Sequence, residues 1–140
     1  MLGCSMMPSM IADILAANGR FYQAFADGDA DGMDDLWARN HDVACIHPGW
    51  PLLEDRGEIM ASWQAIFEGG GPPMVCDGEK VHIFGEVAVV ICRERIDMVQ
   101  LLATNVFVRE GDVWRMMHHH AAPLAAEASR KNAGNGNLLN

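Results

Sequence analysis

The stretch that decides the fold is ATNVFV at residues 103–108, followed by the pair Gly111-Asp112 and by VWRMMHHH at residues 113–120. Two apolar runs joined by a two-residue turn of this kind are typical of a β-hairpin. Regular pairing across the turn places Phe107 opposite Met116. The sequence therefore predicts two antiparallel strands near the C-terminal end of the chain.

The register of this hairpin decides which side chains face inward. Counting back from the turn, regular pairing places Asn105 opposite His118. Side chains alternate between the two faces of a strand, so Asn105, His118 and His120 are predicted to share one face, while His119 lies on the other. Polar groups on an otherwise apolar face need partners, or they mark a cavity that holds a ligand.

The rest of the chain reads as helices first and strands afterwards. Apolar residues at helical spacing predict helices over residues 10–25, 32–38 and 58–67. Apolar and β-branched runs predict strands over residues 43–47, 75–84, 87–97, 101–109 and 113–120, the last four as an antiparallel meander. Helices followed by an antiparallel sheet make an α+β fold.

Composition narrows the possible functions. The 140 residues are 50% hydrophobic and carry a net charge of −9, which fits one compact domain and argues against nucleic-acid binding. No apolar segment is long enough to span a bilayer, and no basic cluster predicts a membrane surface. The four cysteines show no metal-ligand spacing, so we expect a reduced, cytoplasmic protein, with Cys45 and Cys92 as small buried hydrophobic residues.

The outer face of the predicted hairpin is also apolar. Val106, Val108 and Met117 fall on the side opposite Phe107. A second apolar face is most economically buried against a second copy of the chain, so we expect a homodimer through the outer face of the sheet.

The run DGDADG at residues 27–32 matches the first half of a calcium-binding EF-hand loop. The twelfth position of that loop, which requires a Glu, is Ala38. The favoured interpretation is a turn between two helices, with Asp29 or Asp31 capping the second helix.

The histidine triplet at residues 118–120 admits a metal site as an alternative. Adjacent strand residues point to opposite faces, so only His118 and His120 could share an ion, with His47 as a third ligand. No carboxylate completes this set, and no metal is expected. His119 is interpreted as an outward-facing polar residue.

The run CIHPGWP at residues 45–51 ends a strand in a rigid turn. A histidine there could act as a general base, since its ordinary pKa lies near ~6.5. His47 could equally hydrogen-bond to the backbone while Trp50 closes one end of the core, and the residues alone leave both open.

Arg93, Arg95 and Asp97 share one strand face. They could hold and activate a water molecule, but an ion pair at the end of a strand is the favoured interpretation.

Motifs in a characteristic order make the chain similar to the SnoaL-like branch of the nuclear transport factor 2-like (NTF2-like) superfamily. They are AFADGD at residues 24–29, DGM at 31–33, His47-Pro48, GEI at 57–59 with Trp63, and GDVWR at 111–115. The resemblance covers residues 11–123. One domain is expected over residues 1–124, with residues 1–9 flexible. The Ala, Ser, Asn and Gly of residues 125–140 have little to bury and predict a loose tail. The resemblance also implies a cone-shaped α+β barrel with a deep apolar pocket, and a dimer.

Two enzyme branches of the superfamily can be compared position by position. Ketosteroid isomerases carry a base Asp before a Pro, where this chain has His47. Their oxyanion-binding Asp corresponds to Asn105 and their oxyanion Tyr to Phe21, while Tyr22 is one residue away and is expected to point elsewhere. Limonene-epoxide-hydrolase-like enzymes use an Arg-x-Asp that Arg95-Ile96-Asp97 matches, but Met116 stands where their second Asp belongs.

The resemblance and the residues together predict a small-molecule pocket without a cofactor. In it His47 would be the base, His118 or His120 would assist, and Asn105 would polarise a carbonyl in isomerase, dehydratase or cyclase chemistry. The alternatives are a non-catalytic binding or dimerisation module and, further behind, epoxide hydrolysis or metal-dependent chemistry. The predicted walls of the pocket are Phe21, Phe25, Trp50, Trp63, Phe67, Phe107 and Met116.

Overall fold

The computed structural model of the chain describes residues 7–70 and 73–124. It contains the helices α1 (Met7–Asp27), α2 (Ala30–Leu36) and α3 (Arg56–Gly69), and the strands β1 (Ala44–Ile46), β2 (Val75–Phe84), β3 (Val87–Ile96), β4 (Val99–Glu110) and β5 (Val113–Leu124). The α+β prediction is confirmed. Residues 7–9, expected to be flexible, form the start of α1. The predictions for residues 1–6 and 125–140 lie outside the described residues.

Helix α1 supplies one wall of the core through a single stripe of side chains. Ile14, Ala17, Phe21 and Ala24 recur every three or four residues, and all are buried. This spacing places them on one side of a helix, where they pack against the sheet. No helix in the described part of the chain is both long and apolar enough to cross a membrane.

Aspartates cap the two shorter helices. The backbone N–H of Gly32 donates to Oδ1 of Asp29 at 3.0 Å, and that of Glu58 donates to Oδ2 of Asp55, also at 3.0 Å. Each bond satisfies a backbone donor that the first turn of a helix leaves free. The prediction that Asp29 or Asp31 caps the second helix is confirmed for Asp29, and the helix begins inside the loop that an EF-hand would need.

The five strands form one mixed sheet in the order β1-β5-β4-β3-β2. The four long strands make the predicted antiparallel meander, and β1 adds to it in parallel beside β5. Strands β1 and β2 are the edges of the described sheet, so the sheet is not closed into the barrel that the resemblance implied. Its inner face packs against the helices.

A β-bulge in β5 changes the predicted register of the hairpin. Phe107 pairs with Met116 as expected, but Val106 then pairs with His118 and Asn105 with His119, so Met117 is an extra residue on its strand. A bulge of this kind shifts the alternation of every side chain that follows it. The prediction that Asn105 lies opposite His118 is wrong for this reason.

The bulge reverses the faces that the three histidines occupy. His119 is 3% exposed and lies on the inner face, while His120 is exposed on the outer face and His118 is half-buried there. His118 Nδ1 lies 3.0 Å from the carbonyl oxygen of Ala44 in β1. The interpretation of His119 as outward-facing is therefore wrong, as is the placement of His118 and His120 inside.

Candidate functional site

A cavity of about 240 Å³ lies where α1, α3 and the turn after β1 meet the inner face of the sheet. Its wall is mostly apolar and aromatic, with three polar side chains among the rings. The lining residues are Phe21, Phe25, His47, Pro48, Trp50, Trp63, Ile66, Met74, Glu94, Ile96, Leu101 and His119. An apolar cavity of about 150 Å³ is enough to bind benzene, so this one is large enough for a substituted single ring.

The predicted walls are found in part. Phe21, Phe25, Trp50 and Trp63 line the cavity, as expected. Three other predicted wall residues lie elsewhere. Phe107 and Met116 are fully buried in the core, because their inner-face positions are covered by packing, and Phe67 lines a separate surface depression together with Phe25.

His47 lies at the end of β1 and is held by α3. Its Nε2 is 2.8 Å from Oγ of Ser62, and that hydroxyl donates its single hydrogen to the carbonyl oxygen of Ile59 at 2.6 Å. Ser62 must therefore accept from His47, so Nε2 carries the proton and Nδ1 carries the lone pair. Burial lowers the pKa of His47 to about 4, so the imidazole is neutral at neutral pH.

His119 occupies the place that the sequence assigned to His118. Its Nδ1 lies 2.6 Å from Oδ1 of Asn105, and the ring is 4.7 Å from that of Phe21 between ring centres. An amide oxygen only accepts, so Nδ1 donates and Nε2 keeps the lone pair. Burial, with a smaller effect from neighbouring histidines, lowers the pKa of His119 to about 3.

Asn105 is buried behind His119 and does not line the cavity. Its amide nitrogen donates to Oδ1 of Asn18 at 2.9 Å and to the hydroxyl of Tyr22 at 3.1 Å. Both amide hydrogens are therefore engaged. The prediction that Asn105 polarises a substrate carbonyl loses its geometric basis, and the residue instead orients the ring of His119.

Tyr22 joins this network rather than pointing elsewhere. Its hydroxyl accepts from Asn105 and donates to Oε2 of Glu94 at 2.6 Å. The expectation that Tyr22 faces away is wrong, because α1 turns both Phe21 and Tyr22 toward neighbouring parts of the inner face. The two rings meet edge-on, with their centres 4.8 Å apart.

Glu94 is a polar residue of the cavity that the sequence pattern did not single out. It lies on the inner face of β3, lines the cavity and is 2% exposed. Burial raises the pKa of its carboxyl group, an effect that the hydrogen bond from Tyr22 partly opposes. In the described part of the chain only Oε2 of this carboxyl group has a hydrogen-bond partner, and no ion pair involves Glu94.

A signal for Glu94 was present in the sequence. Arg93 and Arg95 pair with Asp77 of β2 on the outer face, at 3.2 and 2.6 Å. Strand alternation then directs the intervening Glu94 inward, where a charged residue is unusual. The two arginines do form ion pairs, but the favoured interpretation, a pair with Asp97, is wrong in its acidic partner. Their partner is Asp77, because Asp97 lies in the turn after β3 with φ 53°.

The metal alternative for the histidines lacks the required geometry. His118 and His120 lie on the outer face of the sheet with ring centres 6.3 Å apart, while His47 lies on the inner side. The sheet separates these groups, so they cannot share one ion. The described residues contain no cluster of three or more groups suited to a metal.

The polar groups of the cavity are preset as hydrogen-bond acceptors. His47 and His119 are neutral and each has used its N–H inside the protein, while Glu94 presents a carboxyl group. Such groups can accept a proton or a hydrogen bond from a bound molecule. The residues around them are mostly apolar and aromatic, and the low local dielectric of such surroundings strengthens these interactions.

Comparison with known proteins agrees with this architecture. The model of the SnoaL-like domain family matches residues 14–126. Among curated proteins, the F-box protein SKIP8 of Arabidopsis thaliana is 29% identical over 114 residues, which are 79% of this chain and 49% of that protein. The chain therefore spans about half the length of this relative.

Solved structures show the same fold. A candidate dehydratase of the NTF2-like family from Streptomyces avermitilis superposes with a TM-score of 0.77 at 29% identity, covering 85% of this chain and 99% of that one. A candidate calcium/calmodulin-dependent protein kinase type II association domain from Thiobacillus denitrificans gives 0.72 at 35% identity, covering 79% and 94%. A candidate ketosteroid isomerase from Parabacteroides distasonis gives 0.65 at 16% identity, covering 81% and 87%, and shares the fold alone.

Proposed function

The chain belongs to the SnoaL-like domain family, and on that premise we propose that its cavity binds a small apolar or aromatic molecule and transfers a proton within it. The observation that carries this proposal is the convergence of His47, His119 and Glu94, from three different strands or strand ends, on one aromatic cavity. Polar groups that converge in an apolar pocket, with pKa values displaced by burial, are typical of a reactive site.

The two imidazoles are the bases of the proposed reaction. Both are neutral at neutral pH, so their lone pairs are available without a prior loss of a proton. Asn105 and Ser62 are positioning residues, since each accepts the N–H of one imidazole and so selects its tautomer. Their role resembles that of the third group in a nucleophile–base–orienter arrangement.

A carbon acid next to a carbonyl is a substrate on which these bases can act. One imidazole accepts the proton from carbon, and the imidazolium that forms is the donor available to the enolate. Acetophenone is a suitable probe, because one aromatic ring fits the cavity and its methyl hydrogens exchange with D2O when a base removes them. We expect the wild-type protein to accelerate this exchange, measured by proton NMR, and the variants His47→Gln and His119→Gln to lower the rate by at least about tenfold.

The matched control is His82→Gln, at an exposed position of β2. It should leave the exchange rate unchanged. Equal exchange rates for the wild-type protein and the variant His47→Gln/His119→Gln would remove the proposed catalytic role of both histidines.

A non-catalytic binding module is the second candidate function. It is favoured by the hydrogen bonds that tie Asn105, His119, Tyr22 and Glu94 to one another, because such a network also stabilises a polar core. Saturable binding of acetophenone without any exchange would support this function over catalysis.

We also propose that the chain forms a homodimer through the outer face of the sheet. Leu102, Val106, His118 and His120 share this face, where Leu102 is 49% exposed. Apolar side chains on an uncovered sheet face favour burial against a second copy.

A cytoplasmic location of the protein remains a prediction from the sequence.

A further inference from the structure

We infer that the molecule bound in the cavity carries a protonated amine, which pairs with Glu94 while its apolar part contacts the aromatic walls. The inference rests on the proposed binding function, and it adds the chemical class of the ligand. It follows from the charge, the hydrogen-bonding capacity and the ring content of the cavity.

The first argument is the missing counter-charge of Glu94. The side chain is 2% exposed, faces the cavity, and forms no ion pair within the described residues. Its neighbours along the strand, Arg93 and Arg95, are both directed to the outer face and paired with Asp77. An ionised carboxyl group buried without a cation is costly, which is why burial raises the pKa of Glu94, and a cationic ligand would supply the partner that favours the ionised form.

The second argument is that the free polar atoms are acceptors. Asn105 has used both amide hydrogens, and Tyr22 donates to Glu94. His119 has used its N–H on Asn105. What remains toward a ligand is Oε1 of Glu94, the lone pair of His119 Nε2, and that of His47 Nδ1, which lies 4.0 Å from Sγ of Cys45. An ammonium group has only donors, so it complements this set, whereas an anion does not.

One donor near the cavity lacks a partner, and it does not reverse this conclusion. Nε1 of Trp63 is buried without a hydrogen-bond partner in the described part of the chain. Because this atom is buried, the ring of Trp63 lines the cavity but its N–H cannot donate a hydrogen bond to a ligand there.

The third argument is the aromatic content of the walls. Phe21, Phe25, Trp50 and Trp63 line the cavity that holds the Glu94 carboxyl group. Aromatic rings attract cations through their quadrupole, most strongly where water is excluded. The two neutral histidines add no positive charge that would repel a cation, and the net charge of −9 favours its approach.

Benzylamine and benzyl alcohol test the inference, because they have the same shape and differ mainly in charge. Titrations followed by isothermal calorimetry at pH 7 should give benzylamine a dissociation constant at least tenfold lower than that of benzyl alcohol. In the variant Glu94→Gln, which keeps an oxygen to accept from Tyr22, the preference should fall below about threefold. The control Glu86→Gln, an exposed carboxylate in the turn after β2, should keep the full preference.

The outcomes separate this inference from the function on which it rests. Binding of benzyl alcohol as tightly as benzylamine, or an unchanged preference in Glu94→Gln, would overturn the amine class while leaving the binding function in place. Binding of neither compound would overturn both. If Glu94→Gln does not fold, the dissociation constants of benzylamine and benzyl alcohol for the wild-type protein still test whether the ligand carries an amine.

Discussion

His47 and His119 make the stability of the fold depend on pH. Burial lowers their pKa values to about 4 and about 3, below the value near ~6.5 of an exposed imidazole. Between these values the unfolded chain binds more protons than the folded one. The contribution of the two buried imidazoles to the free energy of unfolding is therefore complete above about pH 6.5, and it falls as the pH decreases toward 4. Urea unfolding should show a loss on the order of a few kcal/mol between pH 7 and pH 4.

The contribution of one histidine can be isolated by substitution. Glu94 acts in the opposite sense, because its raised pKa lets the folded chain hold a proton that the unfolded chain has lost. Subtracting the stability of a histidine variant from that of the wild-type protein removes the effect of Glu94, because both proteins contain it. His47→Gln should flatten the dependence of stability on pH, and His82→Gln should leave it as it is. Identical slopes for His47→Gln and the wild-type protein would contradict the buried, neutral imidazole.

At the scale of the element, the bulge at Met117 predicts an order of costs across the histidine triplet. His119→Ala breaks a buried hydrogen bond and leaves Oδ1 of Asn105 without its partner, so we expect a loss of about 2–4 kcal/mol in the free energy of unfolding. His120→Ala changes a side chain on the outer face, outside the buried network, and should cost clearly less than His119→Ala. Urea unfolding at pH 7.5 measures both. Equal costs would mean that the bulge, and the faces assigned from it, are wrong.

The cap of α2 gives a second prediction at this scale. Alanine is ordinarily better than glycine inside a helix, by roughly 1 kcal/mol. At Gly32, however, an added Cβ would lie 2.5 Å from Oδ2 of Asp29, the residue that caps the helix. Gly32→Ala should therefore stabilise the protein by much less than that amount, or destabilise it. Thermal unfolding of Gly32→Ala beside Gly19→Ala checks this, since nothing lies within 4 Å of a Cβ at Gly19 in α1. A full helix gain at Gly32 would contradict the packing of the cap.

The elements could be predicted from the sequence, but the register could not. Helical spacing in α1 and alternation in the strands show directly which residues can be buried together, and these predictions were confirmed. A bulge depends on the fit of β5 between β1 and β4, so nothing in the local pattern at Met117 reveals it. This single extra residue puts His119 on the inner face and His118 and His120 on the outer face, the reverse of regular alternation.

The candidate site could be predicted from the sequence only where a residue's own chemistry and position identify it as a candidate. His47, ahead of Pro48, was recognisable from its chemistry and position. Glu94 could be found only from strand alternation, because an ion pair of Arg93 and Arg95 with Asp97 already explains the charges of this stretch. Asn105 was recognised as important, but its role depends on Asn18 and Tyr22, which α1 brings to it across the core.

At the scale of the whole molecule, the outer face of the sheet predicts a dimer. Light scattering coupled to size exclusion should give a mass near twice that of the 15.3 kDa chain. Leu102→Lys introduces a charge on this face and should shift the protein toward monomer. Met98→Lys, at a 96% exposed position in the turn between β3 and β4, should not. A monomeric wild-type protein would contradict the proposed interface.

The central claim is that the cavity binds a small organic molecule beside Glu94 and His119. Soaking crystals of the untagged protein with single-ring aromatic compounds, benzylamine and acetophenone among them, tests it most directly. The account predicts electron density for a ring between Trp63 and the inner face of the sheet, with any amine nitrogen within hydrogen-bond distance of Oε1 of Glu94. A cavity that holds only ordered water after every soak would contradict it.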